Sequence, residues 1–179
     1  MKIKIIRIIK LLNVLVLVYI SMIYIISKTN IDVFNNYNKN YITNNNKYYE
    51  DIVIEIPKIN LYNKVYKAKD NFSNLNNNIV YYKNFDVNNK IILFAHSGIG
   101  YGTYFNKIDE LNDGDRVYLY YKDKRYEYYV HNTFIIDENT VDILNEEEKS
   151  NKLLLITCDK KHKDKRIAVQ LFLKGVKNV

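Results

Sequence analysis

The chain has 179 residues, 47% of them hydrophobic and 26% charged, so most of it has the means to bury a core and is not disordered. With 5 Gly and 1 Pro it is neither collagen-like nor Pro-rich, and its one Cys excludes an internal disulfide framework and a zinc site of the paired CxxC type. A formal charge of +7 points toward nucleic acid only until its distribution is read.

The first element is apolar. From Leu11 to Ile26 only Asn13 and Ser21 interrupt the run. Ile5, Ile6, Ile8 and Ile9 extend it toward the roughly 20 residues that span a bilayer, with Arg7 and Lys10 long enough to snorkel to the headgroups. Lys2, Lys4, Arg7 and Lys10 precede the run, which by the positive-inside rule sets the N-terminus in the cytoplasm and the rest of the chain outside the cell membrane. Ser27-Lys28-Thr29-Asn30 offers no small-x-small cleavage pattern, so residues 1–28 read as an uncleaved, single-pass signal anchor. This stretch also holds five of the 27 basic residues and no acid, leaving 22 basic against 20 acidic residues beyond it. A remainder so close to neutral has no footprint for a phosphate backbone, and nucleic acid is not an expected partner.

Residues 29–50 are Asn-rich with scattered Tyr, and read as a stalk; the competing reading is a helix packed through Ile31, Phe34 and Ile42. From residue 51 onward the pattern turns to strands. Ile52, Ile54 and Ile56 alternate with Val53 and Glu55 before Pro57. Further strands are expected at 60–66, 79–82, 90–94 and 116–121. Tyr121-Lys122-Asp123-Lys124 resembles a hairpin turn into a long strand at 125–136. Leu153 to Thr157 is continuously apolar, as a strand buried on both faces is, and Ile167 to Leu173 alternates again. Helical pieces are expected only at 71–75, 104–111 and 144–149. The series predicts an all-β sandwich or barrel over residues 51–179.

Cys158 ends the apolar strand and is followed by Lys160, Lys161, Lys163, Lys165 and Arg166. A thiol held rigidly at a strand end beside cations suits a nucleophile, because cations favour the thiolate; an inert buried cysteine is the plainer alternative. Acyl transfer to a thiol also needs a proton carrier for the leaving amine and a stabiliser of the oxyanion. Of three histidines, His96 ends a strand before the loop Ser97-Gly98-Ile99-Gly100 and is the best placed. His131 reads as an ordinary strand side chain and His162 as a solvated loop residue. Arg166, eight positions after Cys158, returns to the same rim if two antiparallel strands are joined by a short loop. Its guanidinium is suited to hold a carbonyl or an oxyanion, although an arginine at a strand start more often just faces solvent. The histidines and cysteine lack metal-ligand spacing, and no metal or cofactor is expected.

Several segments, in order, resemble the sortases, membrane-anchored cysteine transpeptidases of Gram-positive bacteria. Ile56-Pro57-Lys58-Ile59 resembles the segment that opens their domain. Ile91 to Ser97 resembles the strand ending in the catalytic histidine, and Phe105 to Asp115 the F-x-x-L…L-x-x-G-D stretch after it. Leu155-Ile156-Thr157-Cys158 resembles the T-L-x-T-C motif, and Arg166-Ile167-Ala168-Val169 the strand with the essential arginine. Ala95 stands where the family usually has Gly, and Leu154 where it has Thr.

The resemblance implies a closed eight-stranded β-barrel with Cys158, His96 and Arg166 catalytic. It implies secreted proteins bearing an LPxTG-like sorting signal as substrates, a thioester intermediate, and a peptidoglycan amine as acceptor. Thr157, Val141 and Ile143 are expected to line the substrate groove. With no aromatic lid motif ahead of the domain and no second C-terminal anchor, the subclass expected is A, D or B rather than pilus-building. Two other classes compete: another cell-wall cysteine acyltransferase, and a non-catalytic tethered β-domain binding wall or protein ligands through its tyrosines. The S-x-G-C context of L,D-transpeptidases is missing around Cys158, and papain-like enzymes place Cys before His, the reverse of the order here.

Overall fold

The computed structural model describes residues 6–7, 9–25, 51–98, 100, 102–140, 142–145 and 150–179. The expected stalk at 29–50 lies outside them, as does Val141. The chain divides into two units, Met1–Phe34 and Asn35–Val179.

In the first unit the described residues are helical, with α1 over 9–25. Its side chains are all exposed, Leu11 at 65% and Leu17 at 66% among them. Ser21 donates its hydroxyl back to the Val18 carbonyl (2.8 Å), so this polar group is satisfied within the helix. Among the described residues no helix is long and apolar enough to cross a membrane. The anchor expected over 1–28 is thus described only in part, because residues at both of its ends lie outside the described set.

In the second unit eight strands form a closed barrel. They are β1 (Ile52–Ile56), β2 (Leu61–Lys67), β3 (Ile79–Tyr81), β4 (Ile91–Phe94), β5 (Arg116–Tyr121), β6 (Lys124–Asp137), β7 (Lys152–Cys158) and β8 (Lys165–Asn178). Around the barrel the order is β1-β2-β3-β4-β7-β8-β6-β5. The pairs β2–β3 and β4–β7 are parallel, and the others are antiparallel. Strand alternation points one set of residues inward, including Ile54, Ile56, Leu93, Leu119, Leu155, Val169 and Leu171, all at 0% exposure. Burying a side chain of this kind contributes roughly 1.5–3 kcal/mol.

The expected hairpin forms at Lys122 and Asp123. Both have positive φ (47° and 58°), which matches the right-handed twist of the strands they join. The helical pieces at 71–75 and 104–111 are shorter than expected, and residues 146–149 of the third lie outside the described residues. The described pieces are 3-10 turns at Asp70–Phe72, Leu75–Asn77 and Ile108–Glu110, and one α-helical turn, α2, at Asp142–Asn145. Around residues 70–77 the Asn-rich sequence has no apolar stripe to bury, so single turns suffice there.

Candidate active site

The alternation that fills the barrel also decides what faces outward. Along β4, Leu93 and Ala95 are in the interior cluster while Ile92 and Phe94 belong to a second cluster on the outer face. Along β7, Leu153 and Leu155 point in, and Leu154 and Ile156 point out. Along β8, Ile167 and Val169 point in and Ala168 points out. The period of two therefore sends His96, Cys158 and Arg166 to the same outer face, at the end of this apolar cluster.

Register brings them level. β4 and β7 are parallel with Phe94 opposite Ile156, and Cys158 is the antiparallel partner of Arg166. Beyond Phe94 the two chains stay tied. The Ala95 N–H donates to the Ile156 carbonyl (3.4 Å), the Thr157 hydroxyl to the Ala95 carbonyl (2.7 Å), and the Ser97 hydroxyl to the Cys158 carbonyl (2.7 Å). These three links hold the backbone of His96 beside that of Cys158. Cys158 itself is a free, half-buried cysteine.

His96 is oriented from a third side. Its Nε2 lies 3.2 Å from Asn76 Oδ1, a contact that fixes the ring's orientation and leaves Nδ1 without a partner from Asn76. Asn76 belongs to the 3-10 turn Leu75–Asn77, and that turn is packed on the loop after His96. Gly102 (φ +84°) approaches so closely that a Cβ there would sit 2.2 Å from the Asn76 carbonyl oxygen. Tyr104 adds a hydroxyl bond to the Asn77 carbonyl (3.3 Å). The Phe105 N–H donates to the His96 carbonyl (3.1 Å) and closes the loop.

The β7–β8 loop is pinned at several points. Asp159, 9% exposed, accepts from the Lys161 N–H (2.9 Å) and pairs with His162 Nδ1 (2.8 Å). The Lys161 N–H first, and then His162, hold its carboxyl below the usual carboxylate range. Lys160 reaches the Asn106 carbonyl and pairs with Asp109 (3.5 Å). Arg166 donates through Nη1 to the carbonyls of Lys163 (3.1 Å) and Lys165 (3.0 Å), and through Nη2 to Glu138 (2.9 Å).

From Cys158 the outer face runs back along β7 over Ile156 and Leu154. It ends in a pocket of about 220 Å³ lined by Lys90, Phe134, Ile143, Lys152, Leu154 and Gln170. Four residues of extended chain cover roughly 13 Å, which sets the distance along β7 from Cys158 to this pocket. Among the described residues no three His, Cys, Asp or Glu side chains group to hold a metal ion.

The structure sorts the expected site residues. His96, Cys158 and Arg166 share one face. Ile143 lines the pocket at the far end of that face. Val141 lies outside the described residues. Thr157 takes a different place from the groove-lining one expected: it points inward, is 4% exposed, and commits its hydroxyl to Ala95, bracing β7 against the chain that carries His96. His131 is exposed on β6 with its ring against Phe172 (5.1 Å). His162 is exposed but not merely solvated, because it pairs with Asp159. Asn76, Ser97 and Glu138 were not singled out by sequence reasoning. Only Ser97, adjacent to His96, had a position that drew notice.

The fold has known counterparts. The chain matches the sortase domain family over residues 54–173. It belongs to the sortase family. Among solved structures, this sortase is similar to sortase A of Listeria monocytogenes, with 26% identity, a TM-score of 0.64, and coverage of 72% of this chain and 89% of that one. It is also similar to a Clostridium perfringens sortase D5 transpeptidase (22% identity, TM-score 0.61, 70% of this chain and 79% of that one). A third is C. perfringens sortase C with the C-terminal cell wall sorting motif (25% identity, TM-score 0.59, 69% of each chain). No curated protein matches the chain in sequence. The barrel expected from the resemblance is the barrel observed, and the family is one of transpeptidases.

Proposed function

We propose that this sortase is an active cysteine transpeptidase that cleaves an LPxTG-like sorting signal and transfers the acyl part to an amine of a peptidoglycan precursor. The observation that supports the reading is the placement of thiol, imidazole and guanidinium on one outer face, at the end of an apolar cluster. The Cys158 thiolate attacks the Thr carbonyl carbon. A C–S bond forms, the C–N bond to Gly breaks, and His96 gives its proton to the departing amine. An incoming amine then attacks the thioester and returns a proton to His96; a new C–N bond forms and the thiolate leaves. Proton transfer of this kind contributes about 10²–10⁴-fold to rate. Arg166 holds the substrate backbone and the developing oxyanion by charge-assisted hydrogen bonds. The pocket at the far end of this face, bordered by Leu154 and Ile143, receives residues ahead of the scissile bond.

The same reading makes the N-terminus a membrane anchor with the barrel outside the cell. Support comes from the wholly exposed apolar helix over 9–25 and the basic residues ahead of it. A non-pilus subclass (A, D or B) belongs to this proposal too. It rests on sequence, since the similar structures include sortases A, C and D5.

The test uses the full chain in detergent micelles with a quenched LPxTG-type peptide and a short amine acceptor. Cleavage and acceptor ligation by the wild type, both absent in Cys158→Ala, are expected. Cleavage by Cys158→Ala at the wild-type rate contradicts the reading.

A further inference from the structure

Arg166 lies between two strands that pull it in different directions. On one side is β7, with Cys158 as its direct partner; on the other is β6, with Ile136 as its partner. Directly opposed residues of this kind have Cβ atoms about 4.5–5.5 Å apart, well within reach of an arginine side chain. Glu138 lies two residues beyond Ile136, so it shares the outer face. Its backbone is fixed there, its N–H donating to the Asp164 carbonyl (2.9 Å). Its carboxylate accepts from Arg166 Nη2 (2.9 Å), while Nη1 is turned to the carbonyls of Lys163 and Lys165. Both terminal nitrogens thus bond to the β7–β8 loop, to β8 and to Glu138, and the charge that an oxyanion needs is matched by a carboxylate from the β6 side of β8.

The neighbouring pair makes the contact specific. Asp137 and Lys165 are cross-strand partners and pair with each other, so Asp137 is committed elsewhere and, among the described residues, Glu138 is the carboxylate paired with Arg166. The Arg166 and Glu138 side chains are 27% and 44% exposed, a half-open pair that an incoming acceptor group is able to displace.

We propose that Glu138 is a latch on Arg166: it parks the guanidinium in the resting enzyme and yields it to the substrate carbonyl when the sorting signal docks. Glu138 is a positioning residue, acting through Arg166, and this inference rests on Arg166 being the oxyanion partner proposed above.

The experiment measures the rate at which iodoacetamide alkylates Cys158 in the full chain at pH 7 without substrate. Glu138→Gln keeps the shape and removes the charge. The released guanidinium then settles beside the thiolate and stabilises it, and alkylation rises about threefold, the scale of one exposed ion pair. Glu138→Gln combined with Arg166→Met returns to the rate of Arg166→Met alone. Asp137→Asn, which removes the adjacent pair, leaves the rate near that of the wild type. In peptide turnover, Glu138→Gln lowers KM by a similar factor with kcat little changed. An unchanged or slower alkylation in Glu138→Gln, or an equal rise in Asp137→Asn, overturns the latch. A rise in alkylation in an enzyme that turns over no sorting peptide keeps the latch and overturns the transpeptidase reading.

Discussion

Two outer faces of the same barrel show what separates a wall from a site. On the β1–β2–β5 side, Val53, Tyr62 and Tyr120 form a small cluster that its own polar atoms close. Tyr120 donates its hydroxyl to Glu55 (2.6 Å), and the Tyr62 and Tyr120 rings lie 6.2 Å apart. Burial, helped by Glu55, pushes the Tyr120 hydroxyl far above the ordinary tyrosine range, so it stays a neutral donor. On the β4–β7–β8 side the outer cluster of Ile92, Leu154, Ile156 and Ala168 is larger and runs to a rim bearing a thiol, an imidazole and a guanidinium. Both faces follow from one period of two. What differs is the residues they carry: a tyrosine pair closed by Glu55 on one face, and a thiol, an imidazole and a guanidinium on the other.

The contrast breaks first at His96. His96→Ala is expected to lower peptide turnover by about 10²–10⁴-fold, with far smaller losses in His131→Ala and His162→Ala. Equal losses in a steady-state assay of the three variants would disperse the site over the barrel. Arg166→Lys keeps the charge and loses the planar fork; a fall of about 10²-fold in kcat/KM is expected, and near-native turnover would reduce Arg166 to a structural role. Gly102→Ala strains a positive-φ position and drives a methyl into the Asn76 carbonyl. A loss of about 1–3 kcal/mol in denaturant unfolding is expected, together with slower turnover as the turn bearing Asn76 shifts away from His96. Tyr120→Phe, on the closed face, removes one hydrogen bond; a stability loss of about 1 kcal/mol is expected with peptide turnover unchanged. A drop in turnover there would mean that the two faces are coupled.

The strands were legible because alternation and buried runs are local signals. Ile52 to Ile56, the turn at Lys122-Asp123 and the apolar β7 all lie where the pattern put them. His96, Cys158 and Arg166 were each visible as chemistry at a strand end. Their meeting was not, because β4 and β7 pair in parallel across a chain segment that includes β5 and β6, and nothing local encodes that neighbour. The family resemblance supplied it. Asn76 was hidden inside the run Asn74-Leu75-Asn76-Asn77-Asn78, where only the contact with His96 distinguishes it. Glu138 looked like one acid among several, since its partner comes from β8. Thr157 stands next to Cys158 in the sequence, but alternation turns it inward, away from the face that Cys158 shares.

The account depends on an acyl group residing on one sulfur. Intact-mass measurement of the full chain after brief incubation with an LPxTG-type peptide tests this directly. A mass gain equal to the fragment up to Thr is expected, mapped to Cys158 and released by hydroxylamine. Turnover of the peptide with no such adduct, or with the adduct on another residue, would contradict it.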